Sequence, residues 1–145
     1  MKIINKFQGS FRWVSNFWPC KVWYDGMWYS SIEHAYQAAK TLDLRWRKRI
    51  QAAPTPGDAK RLGKRVPLRP DWDDIKESIM KDLVFKKFYW DKELRSLLLG
   101  TEGVYLEEGN TWGDTFWGVD LRTGKGRNRL GKILMWVREE LKVNN

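Results

Sequence analysis

The sequence predicts an α+β fold, predominantly helical with a small antiparallel β-sheet, in a single domain over residues 1–145. Three observations predict it. CKVWYDGMWY at 20–29 is rich in aromatic and β-branched residues and is broken by Asp25-Gly26, the dipeptide that supplies the positive φ angles of a two-residue hairpin turn. Most of the remaining apolar residues recur with helical spacing. A chain of 145 residues, 42% hydrophobic and 31% charged, has the size of one domain that buries most of its apolar surface.

The elements follow in order. After the hairpin, Ile32, Ala35, Tyr36 and Ala39 fall at i, i+3, i+4 and i+7, the stripe of an amphipathic helix, with Ser30 as its cap. Helical character resumes from Leu44 to Ala53 and breaks at Pro54. It restarts with Thr55 as N-cap and Pro56 at the first helical position, giving a short helix over 56–65. Beyond Pro67 and Pro70, Asp71 caps a longer pattern through Trp72, Ile75, Ile79, Leu83 and Phe88, and a further helix over Lys92 to Leu99 ends at Gly100. Val104 to Glu107 reads as a short strand. GNTWGDTFWGVDLRTGKGRN at 109–128 has five glycines in twenty residues and no hydrophobic period, so it reads as a loop. Long structureless loops inside compact domains are usually functional, and this one is the expected wall of a site. Leu130, Ile133, Leu134, Val137 and Leu141 form the stripe of a closing helix, with Trp136 beside it and expected in the core.

Composition narrows the function. No run approaches the eighteen or more apolar residues of a membrane span, and MKIINKFQGS lacks the apolar centre of a secretion signal, so a soluble, cytoplasmic protein is expected. One cysteine, Cys20, excludes an internal disulfide framework. With one histidine, His34, it cannot supply an ordinary zinc site, so metal-free chemistry with no cofactor is expected. Two features are unusual: a net charge of +9, and ten tryptophans where average usage gives roughly two. The charge is clustered. Residues 40–70 carry a net +8, from Lys40, Arg45, Arg47, Lys48, Arg49, Lys60, Arg61, Lys64, Arg65 and Arg69 against Asp43 and Asp58. Residues 122–145 carry +5, and 93–121 carry −5. Such clusters are the footprint of a phosphate-bearing partner or, equally, a solvated solubilising face.

Two carboxylates stand out as acid/base candidates because small apolar or aromatic residues surround them. Glu33 lies in SSIEHAYQAAK, on the first turn of its helix; spacing alone favours a capping box, Ser30-x-x-Glu33, over a functional part. Asp114 lies in TWGDTFWG between Trp112 and Trp117, where a turn-stabilising aspartate and a functional one weigh equally. Two carboxylates at one cleft can split a glycosidic bond, one protonating the leaving group while the other stabilises an oxocarbenium-like centre or activates water. No Ser/His/Asp set is identifiable, and His34 reads as a partly buried helix residue. Trp112 and Trp117, in a glycine-rich loop, have little core to fill and can stack on a planar base. GKGRN offers N–H groups and cations to a phosphate without being a Walker loop.

SNFWP at 15–19, WYSSIEHAYQAAK, PTPGDAKRLG at 54–63, RPDW at 69–72, and GDTFWG followed by GRNRLGKILMWVR together resemble the NADAR family, also called YbiA-like proteins. The blocks come in the family's order from about Phe11 to Leu141. The resemblance implies an N-glycosidase acting on ribosylated substrates: phosphorylated riboflavin-pathway intermediates in some members, ADP-ribose on modified guanine in nucleic acid in others. It makes Glu33 the leading catalytic carboxylate, against the capping box that spacing favours, with Asp114 beside it. Trp72, Trp117 and Gly118 are implied pocket residues, and Asn16 and Asn128 ribose or phosphate contacts. Trp18, where tyrosine is frequent, and Lys125 and Arg127 around Gly126 depart from the common spelling.

Three expectations follow. The first is a metal-independent hydrolase of a phosphorylated ribosyl small molecule, with no membrane and no obligate protein partner. The second keeps the reaction on ADP-ribosylated nucleic acid, and the third is a non-enzymatic nucleotide- or nucleic-acid-binding module that uses the tryptophans for stacking.

Overall fold

The computed structural model describes residues 2–143. In chain order its elements are β1 (Ile3–Ile4), a 3-10 helix (Gly9–Val14), β2 (Val22–Tyr24), β3 (Met27–Tyr29), α1 (Ile32–Ala39), α2 (Leu44–Gln51), α3 (Pro56–Gly63), α4 (Trp72–Trp90), α5 (Lys92–Leu99), β4 (Tyr105–Leu106), β5 (Gly109–Asn110), β6 (Val119–Asp120) and α6 (Arg129–Val143). About half of the chain is helical, an α+β fold. The residues fall into two compact units, a central one of Asn16–Lys87 and a terminal one of Met1–Ser15 with Phe88–Asn145.

In the central unit β2 and β3 pair antiparallel, with Val22 opposite Tyr29 and Trp23 opposite Trp28. The turn is the expected one, with positive φ at both Asp25 (45°) and Gly26 (89°). Trp23 and Trp28 meet edge-on at 5.2 Å on the outer face, 44% and 56% exposed, whereas Val22 and Tyr29 turn inward. The hairpin runs one residue further than the sequence suggests, because Cys20 N–H donates to Ser30 O at 3.0 Å. Ser31 therefore caps α1, its hydroxyl accepting from His34 N–H, and the Ser30 cap is corrected by one residue. α1, α2 and α3 pack on one another around Ile32, Ala35, Ala38, Ile50 and Ala59. Thr55 caps α3 with Pro56 in its first turn, as expected. Asp71 precedes α4, but its carboxylate is held by Arg69 at 2.7 Å.

Arg47 locks hairpin to helix. Buried, it donates to Thr41 O at 2.8 Å and to Asp25 Oδ2 at 2.6 Å, and lies over the Tyr24 ring. It is thus a structural member of the +8 segment, and Arg45–Asp43, Arg61–Asp58 and Arg69–Asp71 pairs take up further charge.

In the terminal unit, Leu130, Ile133, Leu134, Val137 and Leu141 of α6 are buried as predicted, joined by Leu94, Leu98, Leu106 and Phe88. Trp13 packs edge-on to Phe88 at 6.2 Å. Arg138 donates to Thr101 O, Thr101 Oγ1 and Val104 O, tying α6 to the turn before β4. Trp136, expected in the core, is 39% exposed: it lies just off the stripe, on the side that faces water. Two pairings, β1 with β4 and β5 with β6, are parallel rather than antiparallel. The second pair falls inside 109–128, so that segment is not structureless. These strands are two residues long, too short for alternation to register.

Candidate active site

Glu33 sits in the first turn of α1, where the helix dipole favours a negative charge. It is 8% exposed. Its backbone N–H donates to Asn16 O at 3.1 Å, which fixes the SNFWP segment against the helix start. Its side chain closes no capping box; Oε1 accepts from Gln37 Nε2 at 2.8 Å, one turn on. Burial raises its proton affinity above the ordinary carboxylate range, opposed by the Gln37 hydrogen bond and then by Lys60, Lys40 and His34. A carboxyl held between these influences can take up and return a proton.

The surroundings are basic and aromatic. Lys40, at the C-cap of α1, has its proton affinity lowered by burial; Glu33 opposes this, while Lys60, Lys64 and Lys76 reinforce it. Lys40 and Lys60 thus share the neighbourhood of Glu33, and Lys40 in turn feels Lys60, Lys64 and Lys76, an arrangement whose mutual repulsion an anion relieves. Trp72, buried at the start of α4, meets the Tyr36 ring at 5.1 Å and 57°. Asn16 Oδ1 is buried without a hydrogen-bond partner. His34 is buried with Nε2 3.0 Å from Ala53 O and Nδ1 2.7 Å from Ser31 Oγ. Because Ala53 O can only accept, the proton is assigned to Nε2, and the ring is a cross-brace.

The terminal unit holds Asp114, Trp117, Gly118 and Asn128. Asp114 Oδ1 accepts from the N–H groups of both Phe116 and Trp117 at 3.0 Å, and its own N–H and C=O are gripped by the Asn110 amide. Trp117 packs edge-on to Phe116 at 4.8 Å. Gly118 lets the chain pass close to Glu108 and Asn110, which a Cβ there would strike. Asn128, buried and at φ 50°, accepts from Glu108 N–H at 3.0 Å and donates to Leu106 O at 2.9 Å and Tyr105 Oη at 3.3 Å. Its amide is a clamp across the base of the loop. Trp112 is well exposed.

Gln37 and Asn110 are the residues the sequence reading missed. Gln37 could have been found from its i+4 spacing to Glu33. Asn110 had only the turn-forming character of asparagine as a signal. Among the described residues, no group of three or more His, Cys, Asp or Glu could hold a metal ion, and no helix is long and apolar enough to cross a membrane.

A helical α+β scaffold that buries a carboxyl beside an amide and two lysines is the setting of an acid–base enzyme. Residues 4–142 match the NADAR domain model, and the chain belongs to that family. It is 43% identical over 133 residues to N-glycosidase YbiA of Escherichia coli, covering 89% of this chain and 81% of that protein. A riboflavin biosynthesis protein of Vibrio vulnificus is 40% identical over 130 residues, covering 88% of this chain and 35% of that longer one. The NMR structure of Escherichia coli YbiA superposes with a TM-score of 0.86 at 36% identity, covering 99% of this chain and 86% of that one. The chain is therefore a hydrolase of the N-glycosidase class, and the non-enzymatic module is set aside.

Proposed function

We propose that the enzyme hydrolyses the base-to-ribose bond of a phosphorylated ribosyl compound, such as a riboflavin-pathway intermediate, with Glu33 as the catalytic carboxylate. The observation that carries this is the buried Glu33 carboxyl with Lys40 and Lys60 beside it, and Lys64 and Lys76 near Lys40. As the C–N bond breaks, its electron pair leaves with the base nitrogen, which takes up a proton. Glu33 stabilises the cationic anomeric carbon and accepts a proton from the attacking water, whose oxygen forms the new bond, and that proton passes on to the departing base nitrogen. The lysines bind the phosphate, the Tyr36–Trp72 pair supports the planar leaving group, and the unpartnered Asn16 Oδ1 accepts from a ribose hydroxyl. Asp114, Trp117, Gly118 and Asn128 are proposed to act within their own unit by shaping the 109–128 loop. No metal or cofactor takes part in this scheme, and a cytoplasmic location suits such a substrate.

A second reading, removal of ADP-ribose from guanine in nucleic acid, is favoured by Trp46. Two guanidinium groups, of Arg49 and Arg65, lie over its ring at 4.4 and 5.5 Å, a cationic aromatic surface suited to a polyanion. Incubation with a panel of ribosylamine phosphates, ADP-ribose conjugates and ADP-ribosylated oligonucleotides, with released base detected by mass, tests both. Release from the ribosylamine phosphates, only weakly dependent on salt, is expected; release from oligonucleotide alone, collapsing with salt, selects the second reading.

A further inference from the structure

We propose that Gln37, seated by Gly63 of α3, is the positioning residue of the Glu33 carboxyl, an inference that rests on Glu33 being the catalytic carboxylate. Gln37 follows Glu33 by four residues, so both side chains project from one face of α1. Their bond is 2.8 Å long, and at 8% and 3% exposure water does not compete for it. It therefore selects one rotamer of Glu33 and one of its two oxygens.

Two further features point to a role for this amide beyond packing. Gln37 Oε1 is buried without a hydrogen-bond partner, a costly state that packing alone does not explain. Gly63 ends α3 with no left-handed φ to require a glycine, and glycine weakens a helix relative to alanine. A Cβ on Gly63 would fall onto Oε1 and Cδ of Gln37. The glycine thus leaves the space in which the amide lies.

An amide suits a carboxyl that gains and loses a proton. Its NH2 donates to the carboxylate, and after a half-turn its oxygen accepts from the carboxylic acid. Because Oε1 has no partner at present, the half-turn breaks no bond except the one to Glu33. A lysine there would hold Glu33 ionised, and a second carboxyl would hold it protonated.

The test compares Q37M, Q37A, G63A and the Q37A/G63A pair with E33Q on a ribosylamine phosphate substrate. Q37M is expected to lower kcat by about tenfold or more with little change in KM. It should also move the acidic limb of the pH–rate profile to higher pH, because the donor that favours ionised Glu33 is gone. G63A should reproduce that shift although alanine brings no chemistry. In the Q37A background G63A should add little, since only the Gln37 Cβ, 3.0 Å from the new methyl, remains in contact. A check needing no Gln37 variant is NMR of the Gln37 side-chain amide, whose signals should titrate with the acidic limb in the wild type and lose that titration in E33Q. Variants that lower thermal stability without moving the limb, or amide signals that ignore pH, overturn the proposal. If E33Q is inactive and Q37M unchanged, only the positioning role fails. An active E33Q removes the Glu33 assignment itself.

Discussion

Removing the Asn128 side chain should cost the terminal unit most of the stability of its loop. The amide makes three hydrogen bonds, to Glu108 N–H, Leu106 O and Tyr105 Oη, at 3.0, 2.9 and 3.3 Å, in a buried setting. Each contributes about 1 kcal/mol net, and an abandoned buried N–H or C=O costs more than the bond gained. Asn128 also sits at φ 50°, where alanine is strained by roughly 1 kcal/mol and glycine is not. N128A should therefore lose about 4 kcal/mol in urea unfolding, and N128G about 1 kcal/mol less because it keeps the backbone freedom. At this chain length the N128A loss corresponds to a fall in Tm on the order of 10 °C. Activity at low temperature should fall through kcat as the loop loosens. Wild-type stability in both variants, with KM alone raised, would refute the clamp and make Asn128 a ligand contact.

Other outcomes follow from the same bonds. D114N, which keeps the Oδ1 acceptor for Phe116 and Trp117, should retain the fold and most activity, while D114A should lose about 1–2 kcal/mol in chemical denaturation; an inactive D114N with unchanged stability would make the charge itself catalytic. Glu33 binds its proton more tightly folded than unfolded, so the folded state holds the extra proton and stability falls as pH rises from the ordinary carboxylate range upward. E33Q should accordingly match the wild type in Tm at low pH and exceed it at neutral pH; a lower Tm at every pH contradicts the burial argument. R47A should lose about 2–3 kcal/mol through its abandoned contacts with Thr41 and Asp25. It should leave the salt dependence of any oligonucleotide binding unchanged, because its guanidinium is buried.

What was legible in the sequence was local chemistry. Asp25-Gly26 and Thr55-Pro56 specify their turn and helix start through φ angles and a missing N–H, and both are found. The choice between Ser30 and Ser31 was not legible: adjacent serines cap equally well, and the Cys20–Ser30 bond across the hairpin decides. Trp136 was misplaced because a residue beside an apolar stripe can turn either way. The β1–β4 pair and the seat that Gly63 makes for Gln37 are contacts between distant segments, which periodicity does not carry, and β5 and β6 are too short to show a period. Glu33 is the instructive case. Spacing pointed to a cap, the family motif to catalysis, and the structure shows the carboxyl turned away from the cap and buried beside Gln37.

The most direct test of the account is single-turnover base release by E33Q, measured beside the wild type on whichever ribosylated compound the wild type cleaves. Substrate binding by calorimetry and a melting curve are recorded on the same samples. The account predicts a folded variant that binds substrate and releases no base above background. Base release at the wild-type rate would contradict it.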